Sequence, residues 1–476
     1  MSASGPREGS GVGDRGEANP WVRQACPGVA APMATGDGLL LRLRHPVGGL
    51  TPEQARTVAD VARRFGSGEL EITSRANLQL RGFSGASLPR AREELAVTGL
   101  VDADPQTEAV RNVVASPAAD RDPQAVADVR GLARELAAAV TQRPALLELP
   151  PKVGLLVDGG GRARLDRLAA DLRLEAMATA AGVCYRVAAG GTAQTAAVLG
   201  WVAPERAVAV AAAVLERFQA LRRTVEDPPR RLSGAVARFG TEPLVGVEGL
   251  EPAAGMEPVA RQPVSDPGAT LGTDPEGVWV GAAFPFGALT ADQLAGLAQL
   301  IDGDRGGALR LTPWRAVLLT GAREGALSGL DALGAVTEGT DRRLALGACV
   351  GAPRCEAGAV EARAEVRDLA EAAGDLPARG GRLHVSGCDK HCGDPAAATA
   401  VLTATGEGYN LALGDGTHLH PLATGLDRDA AQRWLAALER LVAAEQREAE
   451  AVDATIERLD RTDLADRLQR EAEDDG

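Results

Sequence analysis

Four of the chain's six cysteines fall in two short segments. Cys349 and Cys355 lie in "LGACVGAPRC", and Cys388 and Cys392 lie in "HVSGCDKHC", so the spacings are C-x5-C and C-x3-C. Four thiolates on two loops suit two kinds of metal. Zinc favours cysteines two to four residues apart, often with histidine nearby, and a five-residue gap is wide for that. An iron–sulfur cubane takes four thiolates at family-set spacing. Gly347, Ala348, Gly351 and Ala352 surround the first pair, and Gly387 and Gly393 flank the second. Such small residues let backbone approach a bulky cluster and turn N–H groups toward its sulfur. We expect a 4Fe-4S cluster on Cys349, Cys355, Cys388 and Cys392; a zinc site, free thiols or a disulfide are the alternatives. Cys184, in "AGVCYRV", reads as a small buried strand residue. Cys26 sits beside Pro27 and Gly28, in a turn that could line a site.

Three cations stand among apolar or Gly-rich residues: Arg75 in "ITSRANLQLRG", Arg111 in "VRNVVASP" and Lys152 in "LPPKVGLLVDGGG". A cation at a strand end beside a turn can bind an anion, and arginine matches carboxylate or phosphate bidentately. Taken singly, each is more often a solvated surface charge. Arg81 and Arg315 are further candidates. His418 and His420, two apart in a strand, share a face and could chelate, although an exposed polar pair is commoner. "VDGGGRARL" is a tight turn without the G-x-G-x-x-G spacing, and no Walker motif occurs, so no nicotinamide site is expected.

The elements that must carry these residues come in duplicate. Segments 46–80 and 285–319 align without a gap, ten of the 35 positions being identical. Each copy opens an amphipathic helix at a threonine N-cap, Thr51 or Thr290, with Pro52 at the first helical position of one copy. A Gly-rich turn and an alternating strand follow, "LEITSRANLQL" or "LRLTPWRAVLL", and a further strand precedes each helix. Order along the chain then sets "EAVRNVVASPAAD" beside "LALGACVGAPRC", and "ELPPKVGLLVDGGGRARL" beside "GRLHVSGCDKHCGDP". On that reading Arg111 and Lys152 occupy the first-half stations that match the cysteines. The 476-residue length implies two or more domains. The net charge of −14 argues against a general nucleic-acid binder. There is no apolar run of membrane-spanning length and no signal-type h-region, so a cytoplasmic protein is expected.

These cysteine spacings, preceded by two strand-helix-strand units ending in T-x-R-like sequence, resemble the sulfite and nitrite reductase hemoprotein superfamily. More narrowly, "ACPG…PMATGDGLLLRLR", "ELEITSRANLQLRGF", "LPPKVGLLVDGGG" and "HVSGCDKHCGDP" resemble the precorrin-3B synthase family, from about residue 23 to about 445. The resemblance implies an α+β, pseudo-twofold duplicated sulfite/nitrite reductase-like fold. Its parts would be a disordered lead (1–22), a first ferredoxin-like unit (23–95) and a first larger mixed α/β lobe (96–224). A linker (225–275), a second ferredoxin-like unit (276–335), a 4Fe-4S lobe (336–445) and an acidic helical tail (446–476) would follow. It further implies a monooxygenase that hydroxylates precorrin-3A at C20 with dioxygen and closes a γ-lactone. The 4Fe-4S cluster, a separate non-heme iron and an external electron donor would serve it. Arg75, Arg111 and Lys152 would face the tetrapyrrole, whose acetate and propionate groups need charge-assisted hydrogen bonds. One departure stands out: the siroheme reductases usually carry Lys-x-Lys where this chain has Lys152 and Gly154. That moves the expectation away from six-electron reduction of sulfite or nitrite. The alternatives are a siroheme-dependent sulfite or nitrite reductase and a non-catalytic zinc or tetrapyrrole-carrying protein.

Overall fold

The computed structural model describes residues 27–252 and 270–474, apart from 45–46, 48, 103, 394, 416–417, 449 and 460. Cys26 and the lead 1–22 lie outside the described residues. The first unit comprises β1 (Met33–Thr35), β2 (Gly38–Leu43), α1 (Pro52–Phe65), β3 (Glu69–Ile72), β4 (Leu78–Phe83) and α2 (Leu88–Ala96). Helix α1 starts where the sequence directs it. The Thr51 hydroxyl accepts from the Gln54 N–H, the Gln54 side chain accepts from the Thr51 N–H, and Pro52 opens the helix. Ala55, Val58, Ala59 and Ala62 then bury one face.

The chain next builds a lobe from α3 (Pro105–Val110), β5 (Val113–Ala115), α4 (Arg130–Thr141), α5 (Pro144–Leu147), β6 (Leu155–Asp158), β7 (Ala170–Thr179), β8 (Gly182–Gly191), β9 (Ala197–Val202), α6 (Ala207–Thr224) and α7 (Leu232–Phe239). The second unit follows with β10 (Gly272–Thr273), β11 (Trp279–Ala283), β12 (Ala288–Thr290), α8 (Ala291–Gln299), β13 (Ala308–Leu311), β14 (Ala316–Thr320) and α9 (Ala326–Ala332). The second lobe has β15 (Leu346–Ala348), α10 (Ala362–Ala372), β16 (Leu383–Ser386), β17 (Ala400–Thr405), β18 (Gly408–Gly414), β19 (Leu419–Leu426), α11 (Arg428–Glu445), α12 (Val452–Arg458) and α13 (Arg461–Asp474).

The duplication reaches individual contacts. Thr290 and Gln293 repeat the capping box of Thr51 and Gln54. The two units also exchange backbone: β12 lies against β3 with Leu289 opposite Leu70, and Leu50 bridges Leu309. The sequence offset that aligns the repeat carries Leu50 onto Leu289 and Leu70 onto Leu309, so each exchange is the image of the other. All four leucines are buried in one core shared by both units. Truncating any of them to alanine should cost about 2–5 kcal/mol.

The lobes share one topology. In each, two parallel pairings are followed by two antiparallel ones, β5-β6-β7-β8-β9 and β15-β16-β17-β18-β19. Their registers correct the expected stations. Val113 faces Leu155, and Leu346 faces Leu383. Arg111 and Lys152 therefore precede their strands, whereas the cysteines follow theirs. The first-half counterpart of Cys349 is Ser116. The Ser116 N–H donates to the Val157 carbonyl as that of Cys349 does to Val385. The Ser116 Oγ accepts the Gly159 N–H as the Cys349 Sγ accepts that of Gly387. Order along the chain suggested the wrong match because it ignored which end of a parallel strand each residue occupies.

Two further expectations change. Residues 225–252, expected in a linker, include α7, whose Leu232 and Ala235 enter the first lobe's core together with Leu244. Within the tail 446–476 stand α12 and α13, and Val452, Ile456, Leu464, Leu468 and Ala472 pack them onto the second lobe. No helix among the described residues is long and apolar enough to cross a membrane.

Candidate active site between the cysteine loops and the basic corner

The cysteine loops are held by backbone. After β15, the Gly387 N–H donates to the Cys349 Sγ at 3.1 Å. The Ala359 N–H reaches the Gly387 carbonyl at 2.8 Å and stitches the loops together, and the Cys355 N–H closes on the Gly351 carbonyl at 2.8 Å. A Cβ on Gly387 would lie 3.3 Å from the Gly351 Cα and 3.4 Å from the Gly358 Cα, so only small residues fit this contact. All four thiols are free; Cys392 is exposed and the other three are half-buried. Burial pushes the Cys349 thiol up, opposed by the Gly387 and Gly351 N–H groups, and the Cys388 and Cys355 sulfurs raise it further. Desolvation and the three other sulfurs raise Cys392 as well, against the pull of Lys390. The four sulfurs thus share one site, in which neighbouring sulfurs disfavour ionisation of Cys349 and Cys392. That repulsion is relieved by a bound metal centre, which takes thiolates. The donor set, the glycines and the N–H group on sulfur fit an iron–sulfur cluster held by Cys349, Cys355, Cys388 and Cys392.

The first loop is clamped to the other half of the molecule. Arg81, 5% exposed, donates to both Asp37 oxygens at 2.8 and 2.9 Å and to the Arg354 carbonyl at 3.1 Å. Arg354, next to Cys355, pairs with Glu69 at 2.6 Å, and Arg363 pairs with Glu71 at 2.6 Å. A Cβ on Gly36 would overlap the Pro353 carbonyl. Burial raises the Asp37 carboxyl, but hydrogen bonds from Arg81 and Thr35 outweigh it and hold the group below the usual carboxylate range. The "TGDG" turn and Arg81 are therefore positioning elements for the cysteine loop. Arg81 was expected only as a candidate anion ligand; its bidentate carboxylate contact is made inside the protein.

The same sheet supplies the basic corner, because the β3–β4 turn carries Arg75. Its Nη1 donates to the Lys152 carbonyl at 3.1 Å and lies 3.2 Å from where a Gly154 Cβ would stand. Asn112 Nδ2 lies 3.4 Å from that same point and donates to the Val153 carbonyl at 3.1 Å. Arg75, Asn112 and the 152–154 backbone therefore meet, while the Lys152 side chain is exposed. Arg111 is directed elsewhere: it pairs with Asp102 at 2.6 Å and donates to the Leu100 carbonyl. Asn112 was not anticipated; its position beside Arg111, at the start of a strand, was the available signal. Gly154 also acquires a physical role, since the space a side chain would need is taken by the Arg75 guanidinium.

The histidines divide. His384, 2% exposed, is pushed down to about 3 by burial and the Arg315 charge, so its imidazole is neutral at pH 7. His391 bonds Thr403, and His420 bonds Asp415 rather than joining His418.

Against known proteins, residues 31–97 and 271–333 match the nitrite/sulfite reductase ferredoxin-like half domain. Residues 106–247 match the nitrite and sulphite reductase 4Fe-4S domain. Precorrin-3B synthase of Sinorhizobium sp. is 31% identical over 457 residues, covering 94% of this chain and 95% of that protein. The chain belongs to the nitrite and sulfite reductase family. Ferredoxin–nitrite reductase of Synechococcus elongatus is 28% identical over 80% of this chain and 78% of its own length. The structure of the Mycobacterium tuberculosis NirA protein superposes with a TM-score of 0.72 at 20% identity, over 90% of this chain and 84% of that one. The duplicated α+β fold is therefore the family's. The family's 4Fe-4S domain model falls on the first lobe, which carries Ser116 and Gly160 where the second carries Cys349 and Cys388. The match supports an iron–sulfur cluster in the chain, and the second lobe holds the thiols for one.

Proposed function

We propose that this protein is a precorrin-3B synthase: a dioxygen-dependent monooxygenase that hydroxylates precorrin-3A at C20 with γ-lactone formation. The observation that carries this reading is the 31% identity to the Sinorhizobium precorrin-3B synthase along nearly the whole of both chains. The basic corner supports it. Lys152, exposed beside Arg75, would take a carboxylate arm of the macrocycle, and Arg75 would orient a second arm while its Nη1 stays on the Lys152 carbonyl. Arg111 would contribute through its charge, since Asp102 already occupies its guanidinium. Cys349, Cys355, Cys388 and Cys392 would hold the 4Fe-4S cluster, which supplies one-electron transfer from an external, ferredoxin-type donor. Arg81 and Asp37 keep the Cys355 loop docked on the sheet that carries Arg75.

The separate non-heme iron finds no support in the described side chains. Asp158, Asp166 and Glu175 bring carboxylate oxygens within 4.8 Å of one another. Arg164 pairs with Asp166, Arg173 and Arg186 pair with Glu175, and Asp158 accepts the Gly160 and Leu165 N–H groups, so these carboxylates already have partners within the protein. The group does not fit an iron site.

Anaerobically reconstituted protein given precorrin-3A, dioxygen and reductant should form a product heavier by one oxygen atom. Absence of that mass would overturn the proposal. The similarity to ferredoxin–nitrite reductases favours one second reading, a siroheme enzyme. A strong Soret band in the purified protein would support it, whereas a broad brown shoulder alone would count against it. Zinc without iron or labile sulfide would remove both.

A further inference from the structure

The duplication that produced the basic corner also left a second one. Superposing the lobe registers sets Arg382 at the Gly154 station and Leu344 at the Arg111 station. The unit repeat sets Trp314 on Arg75 and Arg315 on Ala76. The turns agree in detail. Ala76 and Arg315 both adopt positive φ, 53° and 61°, and the Thr73 and Thr312 hydroxyls accept from Asn77 and Ala316. Each half thus carries three cations near the place where this turn meets the starts of two parallel strands: Arg75, Lys152 and, turned away to Asp102, Arg111 in one, and Arg315, Arg343 and Arg382 in the other.

In the second half that corner is a pocket. Trp314, Arg315, Arg343, Leu344, Arg382 and His384 line it, with about 570 Å³ of empty space counting its open mouth. The enclosed part has room for a small ion and not for a macrocycle. Carboxylates offset some of the charge: Asp341 holds Arg343 at 2.7 Å, and Glu71 lies 3.5 Å from Arg315. Arg315 is also fixed by its bond to the Phe286 carbonyl at 2.9 Å. His384, 2% exposed, has no hydrogen-bond partner for Nε2 among the described residues. A buried polar atom without a partner is costly, and in the tautomer that carries the proton on Nε2 an oxyanion in the pocket would accept from it.

We propose that this corner is a second anion site, distinct from the tetrapyrrole corner, which takes a small oxyanion of sulfate or phosphate type against Arg315, Arg382 and the His384 imidazole. Gly347, Ala348 and Gly393 form part of its wall, one or two residues from Cys349 and Cys392. Negative charge placed there disfavours adding an electron to the cluster, so occupancy lowers its reduction potential.

The test uses the anaerobically reconstituted full-length protein titrated with sodium sulfate, with sodium chloride at equal ionic strength as the reference. Expected are saturable heat and a change in tryptophan emission that Trp314→Phe abolishes while the heat remains. Arg382→Leu should weaken sulfate about tenfold or more, the scale of one lost charge-assisted hydrogen bond. Arg382→Lys should restore most of the affinity, and Lys152→Gln should leave it unchanged. The cluster midpoint potential should fall on saturation with sulfate in wild type and not in Arg382→Leu. The proposal is overturned if sulfate and chloride behave alike. It is equally overturned if Lys152→Gln weakens binding while neither Arg382 variant does, which would place the ion in the first corner. Thermal melts identify a variant that fails to fold, and Arg382→Gln then replaces Arg382→Leu under the same criteria.

Discussion

Replacing Arg81 by methionine probes how the cysteine loop is docked. Methionine keeps the apolar stem but deletes the guanidinium, and with it two bonds to Asp37 and one to the Arg354 carbonyl. Removing one partner of a buried ion pair typically costs about 3–5 kcal/mol. The Asp37 side chain is 18% exposed and keeps the Thr35 hydroxyl at 2.7 Å, so the cost falls to the bottom of that range or just below it, about 2–3 kcal/mol. The first unfolding transition should then move down by roughly 4–12 °C. The assay is a double-mutant cycle with Asp37→Ala, followed by thermal or urea denaturation of the reconstituted protein. A coupling energy of at least about 1 kcal/mol is expected; additivity within about 0.5 kcal/mol would refute the clamp. Acid adds a sign. The folded Asp37 carboxyl titrates below its unfolded value, so its stabilisation is complete above the ordinary carboxylate range and is lost as pH falls through the lowered value. The gap between wild type and Arg81→Met should therefore close on acidification, and a gap that widened would contradict the pairing. Iron release to a chelator should also quicken in the variant, because Arg354 adjoins Cys355.

Three other outcomes follow from the same structure. Serine at Cys349 or Cys388 should abolish the cluster's visible absorption and labile sulfide, and retention of a full iron and sulfide count in either would exclude that residue as a ligand. Gly154→Lys should displace Arg75, whose Nη1 stands 3.2 Å from the new Cβ, and weaken tetrapyrrole binding about tenfold in a fluorescence titration, the scale of one charge-assisted hydrogen bond. Arg173→Met should cost about 3 kcal/mol in urea denaturation, since Arg173 and Glu175 are both fully buried and the Leu165 and Leu168 carbonyls lose their donor; a loss under about 1 kcal/mol would show that Arg186 suffices for Glu175.

Local chemistry made much of this protein readable without coordinates. Four thiols could be proposed as cluster ligands because a cluster needs four of them and the chain has few. Both helix starts could be placed because Thr51–Gln54 and Thr290–Gln293 satisfy their own backbone groups. The repeat announced two related units because its glycines, threonines and apolar positions recur in order. Sequence alone thus determined the duplication, through residues that recur in order, and the fold class, through the family resemblance its motifs carry, and it singled out four thiols as the proposed donors of a cluster. Tertiary structure decided what those residues face. Arg111 turned to Asp102, Arg81 became a clamp, Arg75 filled the space at Gly154, and Ser116 rather than Arg111 proved to be the counterpart of Cys349. Each outcome depends on which end of a strand a residue occupies and which partner stands opposite it, across nine residues for Arg111 and Asp102 and across tens to hundreds for the others. Pairing energies of that kind are set by distance and burial in three dimensions, and the order of residues along the chain does not encode them locally.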